Sequence, residues 1–187
     1  QEHLRDRDCD LLFFPSVDEM YPLGQDAQTT VSVPVVSEGL CGSSRPGHFD
    51  GVATVVSKLF HMVQPDAAFF GEKDFQQLAV IRKMVNDLNL PFDVVGVPTC
   101  REDKGLAMSS RNNYLSEQEK DNAGHIYRLL NEISESIKGG STDFSKLCDS
   151  AKKELSKLKF KPDYIEVREA NSLRPATAGD TELVVLA

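Results

Sequence analysis

Three short apolar runs, Leu11-Leu12-Phe13-Phe14, Ala67-Ala68-Phe69-Phe70 and Val94-Val95-Gly96-Val97, are each closed by a proline or a glycine. Runs without polar alternation predict strands buried on both faces, the habit of parallel sheets. Between them, Val52, Val55, Val56, Leu59, Phe60 and Val63 recur at helical spacing over about 49–63, and Leu78, Ile81, Arg82, Val85 and Leu88 do so over about 75–88. Strand, helix, strand, helix, strand predicts an α/β fold, a Rossmann-like doubly wound parallel sheet. Ligands of such sheets bind beyond the carboxyl ends of the strands, where residues 71–74 and 99–101 fall.

The pattern changes after Asn112. Ser116-Glu117-Gln118-Glu119 has the form of a capping box, and an amphipathic helix follows to about Lys138, where Gly139-Gly140 stops it. A second helix over about 143–158 precedes two strand patterns, 162–168 and 181–186, whose spacing suits an antiparallel pair. A boundary near 98–104 is therefore expected. It separates residues 1–100, part of the nucleotide-binding sheet domain, from a smaller C-terminal α+β domain at 101–187. The chain opens inside a helical pattern without a methionine and ends on a strand pattern with no turn after it, so both ends are expected to be cut edges.

Composition narrows the function classes. The 187 residues are 40% hydrophobic and 27% charged, as in ordinary globular proteins, and carry a net charge of −8. That balance argues against a nucleic-acid backbone as the main partner. No stretch approaches the ~18 apolar residues of a membrane span, and the first residues lack the apolar core of a signal peptide, so a cytoplasmic protein without a membrane partner is expected. Cys9, Cys41, Cys100 and Cys148 lie far apart without CxxC spacing, which predicts free thiols and no protein-held metal.

In an acidic chain, clustered cations stand out. Lys73 follows Gly71 at a strand end and can meet a phosphate as a point charge, while Asp74 at the next helix start can accept from ribose hydroxyls. Glu72, Lys73 and Asp74 also fit a solvated turn whose Asp74 caps the helix. One of Gln76 and Gln77 must face the strand ends, where its amide could bind a polar substrate. Ser109-Ser110-Arg111-Asn112 offers two hydroxyls, backbone N–H groups and a guanidinium in one turn, a match for a polyphosphate, and also fits an ordinary loop. The Asp103-Lys104-Gly105-Leu106-Ala107-Met108 stretch before it reads as a Gly-hinged loop able to close over a ligand. Arg45 and His48 precede the first long helix, where they could meet an anion or simply cap it. His3, His61 and His125 have no partner spacing and read as surface or structural.

Taken together, Arg45-Pro-Gly-His-Phe-Asp-Gly-Val52, Phe70-Gly-Glu-Lys-Asp-Phe-Gln-Gln77, Gly96-Val-Pro98 and Gly105-Leu-Ala-Met-Ser-Ser-Arg-Asn112 closely resemble the pantoate–β-alanine ligase (pantothenate synthetase) family. The likeness runs from Phe13-Phe-Pro-Ser-Val-Asp-Glu-Met-Tyr-Pro22 to Tyr164-Ile-Glu-Val167. It implies the fold of the HIGH-type nucleotidyltransferases and an ATP- and Mg2+-dependent condensation of D-pantoate with β-alanine through pantoyl adenylate, usually by a homodimer. By the same resemblance Lys73 binds phosphate, and Met108, Ser109, Ser110 and Arg111 are the counterpart of the KMSKS loop of class I aminoacyl-tRNA synthetases. Gly71, Glu72 and Asp74 fall on the nucleotide side, with Gly71 and Asp74 at the ribose and the backbone of Cys100 at the adenine. Gln77 contacts pantoate, and Val52, Val55 and Phe70 wall its gem-dimethyl group.

One motif of the family, the HxGH sequence that supplies histidines to the ATP phosphates, has no counterpart here; Gly47-His48 belongs to a different motif. The chain is accordingly expected to be inactive or nearly so by itself. Two further readings accompany the ligase: a related nucleotidyltransferase with a phosphorylated acceptor, and a folded module that only mediates interaction or dimerisation.

Overall fold

The structure, a computed structural model, describes residues 2–187. The chain forms two compact units, residues up to Thr30 and Val31–Ala187. The first holds two short helices, α1 (Glu2–Arg5) and α2 (Val17–Met20), and a 3-10 turn at Gln25–Ala27. Ser16 and Glu19 start α2 with a reciprocal capping box, a device that satisfies two otherwise orphaned N–H groups. The strand expected at 11–14 does not form: Leu11 and Phe14 are 76% and 84% exposed, on extended backbone. No second strand among residues 2–30 is there to pair with it, so its N–H and C=O groups have no ladder to join.

The second unit runs α3 (Leu40–Ser44), α4 (His48–Val63), β1 (Ala67–Gly71), α5 (Phe75–Asp87), β2 (Asp93–Val97), α6 (Glu117–Lys138), α7 (Phe144–Lys157), β3 (Glu166–Glu169) and β4 (Leu183–Leu186). Its fold class is α/β. β1 pairs in parallel with β2, Ala67 opposite Asp93 and Gly71 opposite Val97, and β3 pairs antiparallel with β4. Both helices expected between the strands form within a residue of their predicted bounds, and the predicted Ser116–Glu119 capping box opens α6.

One face of the parallel pair, with Ala68, Phe70 and Val94, packs against a core of α4 and α5 that includes Phe60, Val80, Ile81 and Met84. Phe60 meets Phe92 edge-on with 4.6 Å between ring centroids. The other face is open, with Phe69 67% exposed. Burial on both faces, expected from the unbroken apolar runs, is thus realised on one, because α4 and α5 both serve the same side. A second cluster gathers Leu129 and Ile133 of α6, Cys148, Ala151 and Leu155 of α7, and Ile165 and Val167. Leu173 leaves this second region to join the first core, with Tyr164, Val184 and Leu186 packed beside it.

Ile81 is completely buried in α5, the element that connects the two parallel strands. Ile81→Ala should lower the unfolding free energy by about 2–5 kcal/mol, the usual result of deleting a core side chain around which neighbours relax only in part. Urea denaturation measures it, and a loss below about 1 kcal/mol would mean that the α5 face collapses freely.

Candidate functional site

Parallel strands joined through a helix end on the same edge, so the carboxyl ends of β1 and β2 open side by side. A cleft of about 660 Å³ lies there, lined among others by Arg45, His48, Glu72, Lys73, Asp74, Gln77, Arg101, Arg111 and Tyr164. Of the residues singled out from the sequence, Glu72, Lys73, Asp74, Gln77 and Arg111 meet in it, as do Arg45 and His48. Gly71, Cys100, Met108 and Ser110 adjoin lining residues in sequence but do not line it themselves, and Ser109 lies between the last two. Val52 and Phe70 pack against the first core, and Val55 is half-buried on α4.

The strand-end turn is a 3-10 turn, Glu72–Asp74, leading straight into α5. Asp74 occupies the N-cap position, yet its side chain makes no capping hydrogen bond, so capping does not account for it. Lys73 Nζ stands 3.7 Å from Asp74 Oδ1, both side chains well exposed. Such a pair is worth at most a fraction of a kilocalorie, and a stronger anion can take the ammonium from it. Gly96 on β2 lets the Glu72 and Arg82 side chains cross the strand: a β-carbon there would lie 2.9 Å from atoms of each.

Opposite stands the start of α4. Gly47, at φ 75°, makes the left-handed turn into the helix, a conformation costly for other residues, and His48 is the first helical residue. Burial lowers the proton affinity of His48 from its ordinary value; the charge of Arg45 lowers it further, and Asp74 opposes the shift. The imidazole is therefore neutral at neutral pH, and the net positive charge of this wall rests on Arg45.

The third side is the 100–112 segment. Its Gly-hinged stretch is a hairpin: Met108 N–H donates to the Cys100 carbonyl at 2.9 Å, Glu102 N–H to Leu106 at 2.8 Å, and Gly105 turns at φ 91°. α6 holds it from beneath. The Arg101 guanidinium lies 3.7 Å over the Tyr127 ring, Lys104 pairs with Asp121 at 2.6 Å, and Gly124 admits the Lys104 carbonyl where a β-carbon would stand 2.2 Å away. Asn112, 9% exposed, closes the base by donating to Glu102 at 3.0 Å and to the Ala107 carbonyl at 3.1 Å. Ser109 caps the following 3-10 turn, accepting from Arg111 N–H.

Sequence reasoning put Arg101 at a strand end and Asn112 in the Ser109–Asn112 turn without giving either its role in holding the hairpin, and it missed Gly124 and the buried amide of the glutamine pair. Gly124 had a signal, a glycine in the middle of a long amphipathic helix, which marks a close approach. Gln76 had none: it is 5% exposed, with its amide turned to the backbone of residues 36–41. Among the described residues no cluster of three His, Cys, Asp or Glu side chains could hold a metal ion, and no helix is long and apolar enough to cross a membrane.

Gly124→Ala sets two effects against each other. Alanine favours the helix by up to about 1 kcal/mol, while its β-carbon would collide with the Lys104 carbonyl. A backbone atom cannot swing away as a side chain can, so the collision should dominate: Tm should fall, and amide exchange at Glu102 and Met108 should quicken. A more stable protein with unchanged exchange would refute the docking of the hairpin on Gly124.

The comparisons with known proteins agree with one another. A family model described as pantoate-beta-alanine ligase matches residues 1–187. The pantothenate synthetase of Pseudomonas fluorescens (strain Pf0-1) is 60% identical over 186 residues, covering 100% of this chain and 65% of that protein. That of Azotobacter vinelandii is 57% identical, with 100% of this chain and 66% of that protein covered. Among solved structures, the pantothenate synthetase of Thermus thermophilus superposes with a TM-score of 0.84 at 44% identity, over 94% of this chain and 63% of that one. The pantoate-beta-alanine ligase of Francisella tularensis, complexed with beta-gamma ATP and beta-alanine, gives 0.72 at 31% identity, over 88% and 59%. The chain thus spans about 65% of the length of the curated relatives it matches. Matched by the family model from its first residue to its last, the chain belongs to the pantoate-beta-alanine ligase family.

Proposed function

We propose that the complete gene product uses ATP to condense D-pantoate with β-alanine, through a pantoyl adenylate, releasing pyrophosphate and then AMP. The observation that carries this reading is the convergence of Lys73, Arg111 and Gln77 on one cleft at the strand ends of a chain from this family. Phosphate-binding cations and a neutral amide in one cavity suit a reaction that joins a nucleotide to a polar acid. The Francisella relative, complexed with beta-gamma ATP and beta-alanine, supports the choice of nucleotide and amine.

In this reading the carboxylate of pantoate attacks the α-phosphate, and pyrophosphate leaves. No side chain need act as nucleophile: the protein holds the reactants in line and stabilises the charge that builds on the phosphates. Lys73 does so from a fixed strand end. Ser109, Ser110 and Arg111 do so from the 3-10 turn beyond the hairpin, with Met108 beside them, and only Arg111 reaches the cleft without movement. Gly71, Glu72 and Asp74 take the ribose side, the Cys100 backbone the adenine, and Gln77 the pantoate. Val52, Val55 and Phe70 supply the apolar surface for the gem-dimethyl group from behind the lining. Among the described residues no carboxylate cluster fits a resident Mg2+ ion, so the ion of this reading would be carried in on the triphosphate, held mainly by phosphate and water. When bound, it would neutralise phosphate charge.

A division into a nucleotide-binding part up to about residue 100 and a smaller α+β part beyond it is supported by the second hydrophobic cluster, whose buried members, from Leu129 to Val167, all lie after that point. A cytoplasmic homodimer completes the proposal; sedimentation of the complete gene product tests the assembly.

AMP release that requires both pantoate and β-alanine is the expected result of a coupled assay, and release without pantoate would sink the assignment. Lys73→Ala should slow adenylation by about 10²-fold or more, the scale of losing one preorganised electrostatic stabiliser. Pantoate-dependent exchange of pyrophosphate into ATP measures that step alone, and a near-normal rate would remove Lys73 from the mechanism.

A further inference from the structure

Gln76 borders the cleft together with its neighbour Gln77 on α5, yet its amide is committed to backbone groups of an earlier segment. The two N–H bonds of Nε2 are shared among the carbonyls of Val36, Glu38 and Gly39 at 3.0, 3.3 and 3.3 Å, and Oε1 accepts from Cys41 N–H at 3.0 Å. All four contacts go to one segment, 36–41. Gln76 is 5% exposed and its bond to Val36 is buried, so water replaces these contacts poorly and their loss would leave backbone groups underpaired.

That segment would not hold its shape by local preference. Val35, Gly39 and Leu40 all have positive φ, at 74°, 67° and 47°, a region unfavourable for valine and leucine. On its other side Gly39 abuts Arg168, whose Nη2 would stand 3.2 Å from a β-carbon at that position. Arg168 is itself fixed by Glu166 and by the Leu173 carbonyl, to which it donates at 2.9 Å. The segment is therefore clamped between α5 and β3. It leads through α3 directly to the Arg45–Gly47 turn, which sets Arg45 and His48 on the cleft.

We propose that Gln76 is a positioning residue: its carboxamide fixes segment 36–41 and thereby holds Arg45 and His48 across the cleft from Lys73 and Gln77. Only a side chain that donates at one atom and accepts at the other satisfies the carbonyls and the N–H together. Ionised glutamate lacks the donor, and leucine lacks both. The kinetic consequence rests on the ligase reading above; the structural one does not.

Two measurements test it. In Gln76→Leu, hydrogen exchange over residues 35–45 should accelerate at least about tenfold while α5 and α7 keep their protection. Unchanged exchange there, or equal loss throughout the unit, overturns the proposal. Should that variant not fold, Gln76→Asn, which keeps an amide one methylene too short, takes its place. In the complete gene product, Gln76→Leu should lower kcat/KM by about 10- to 100-fold, as misplacement of binding groups does, and should add nothing in an Arg45→Ala/His48→Ala background. A loss that multiplies with the double substitution, or a double substitution without effect, overturns it. A gene product with no pantoate-dependent AMP release would remove the ligase reading, while the exchange experiment would still decide whether Gln76 holds the segment.

Discussion

The parallel pairing of Ala67–Gly71 with Asp93–Val97 is the constraint from which the site follows. Two parallel strands cannot be joined by a tight turn, so the chain must travel back along the sheet, and α5 makes that crossing. The crossing has two effects at once. It buries Leu78, Ile81 and Met84, which contribute much of the apolar burial in this unit, and it brings both carboxyl ends to one edge. Lys73 owes its position to the first strand end and Thr99 to the second. Anything that loosens the α5 face against the strands would loosen the cleft as well.

The cleft has two other sides, and they are held by different physics. The hairpin at 100–108 rests on α6 through a cation over an aromatic ring, an exposed ion pair and a glycine that admits a carbonyl. None of these is strong alone, the cation–aromatic contact counting about 0.5–1 kcal/mol at a surface. Together they leave a piece that is ordered yet weakly attached, a suitable mounting for Ser110 and Arg111 if they are to approach a ligand and retreat from it. The α4 side rests on a buried amide and a backbone under strain. There the amide itself is buried and its bonds lie partly or wholly out of water, unlike the surface contacts that hold the hairpin.

How much of this could be read from the sequence depended on the distance over which each signal acts. Local signals were legible: the periodicity of Val52 to Phe60 marked α4, and Ser116 with Glu119 marked the start of α6, because caps and faces are decided within a few residues. The strand-end position of Lys73 was legible too, since an apolar run followed by glycine and a helical pattern admits few geometries. Leu11 to Phe14 misled because a strand exists only by virtue of its partner, and an apolar run says nothing of whether one is present. Gln76 was opaque for a related reason. Its role is set by carbonyls some 40 residues earlier in the chain, such as that of Val36, and nothing in its own neighbourhood separates it from Gln77.

The charges show the same division between structure and site. The chain is acidic by eight charges, and several cations outside the cleft are paired with carboxylates: Lys83 with Asp87, Arg128 with Glu132 and Glu154, Arg168 with Glu166, Arg174 with Asp180. The cleft cations differ from these. Among the described residues Arg45 and Arg111 have no ion-pair partner, and Lys73 has only the long contact to Asp74. A cation already held by a carboxylate, as Arg128 is by Glu132 at 2.6 Å, would have to be freed before it could meet a phosphate, and that cost would be subtracted from binding. Leaving these groups unpaired in a concave wall, within an otherwise negative surface, focuses positive potential where an anion would enter and repels it elsewhere. His48 fits this arrangement by staying neutral: beside Arg45 it adds a hydrogen-bonding ring without adding a second charge that the wall would have to accommodate before an anion arrives.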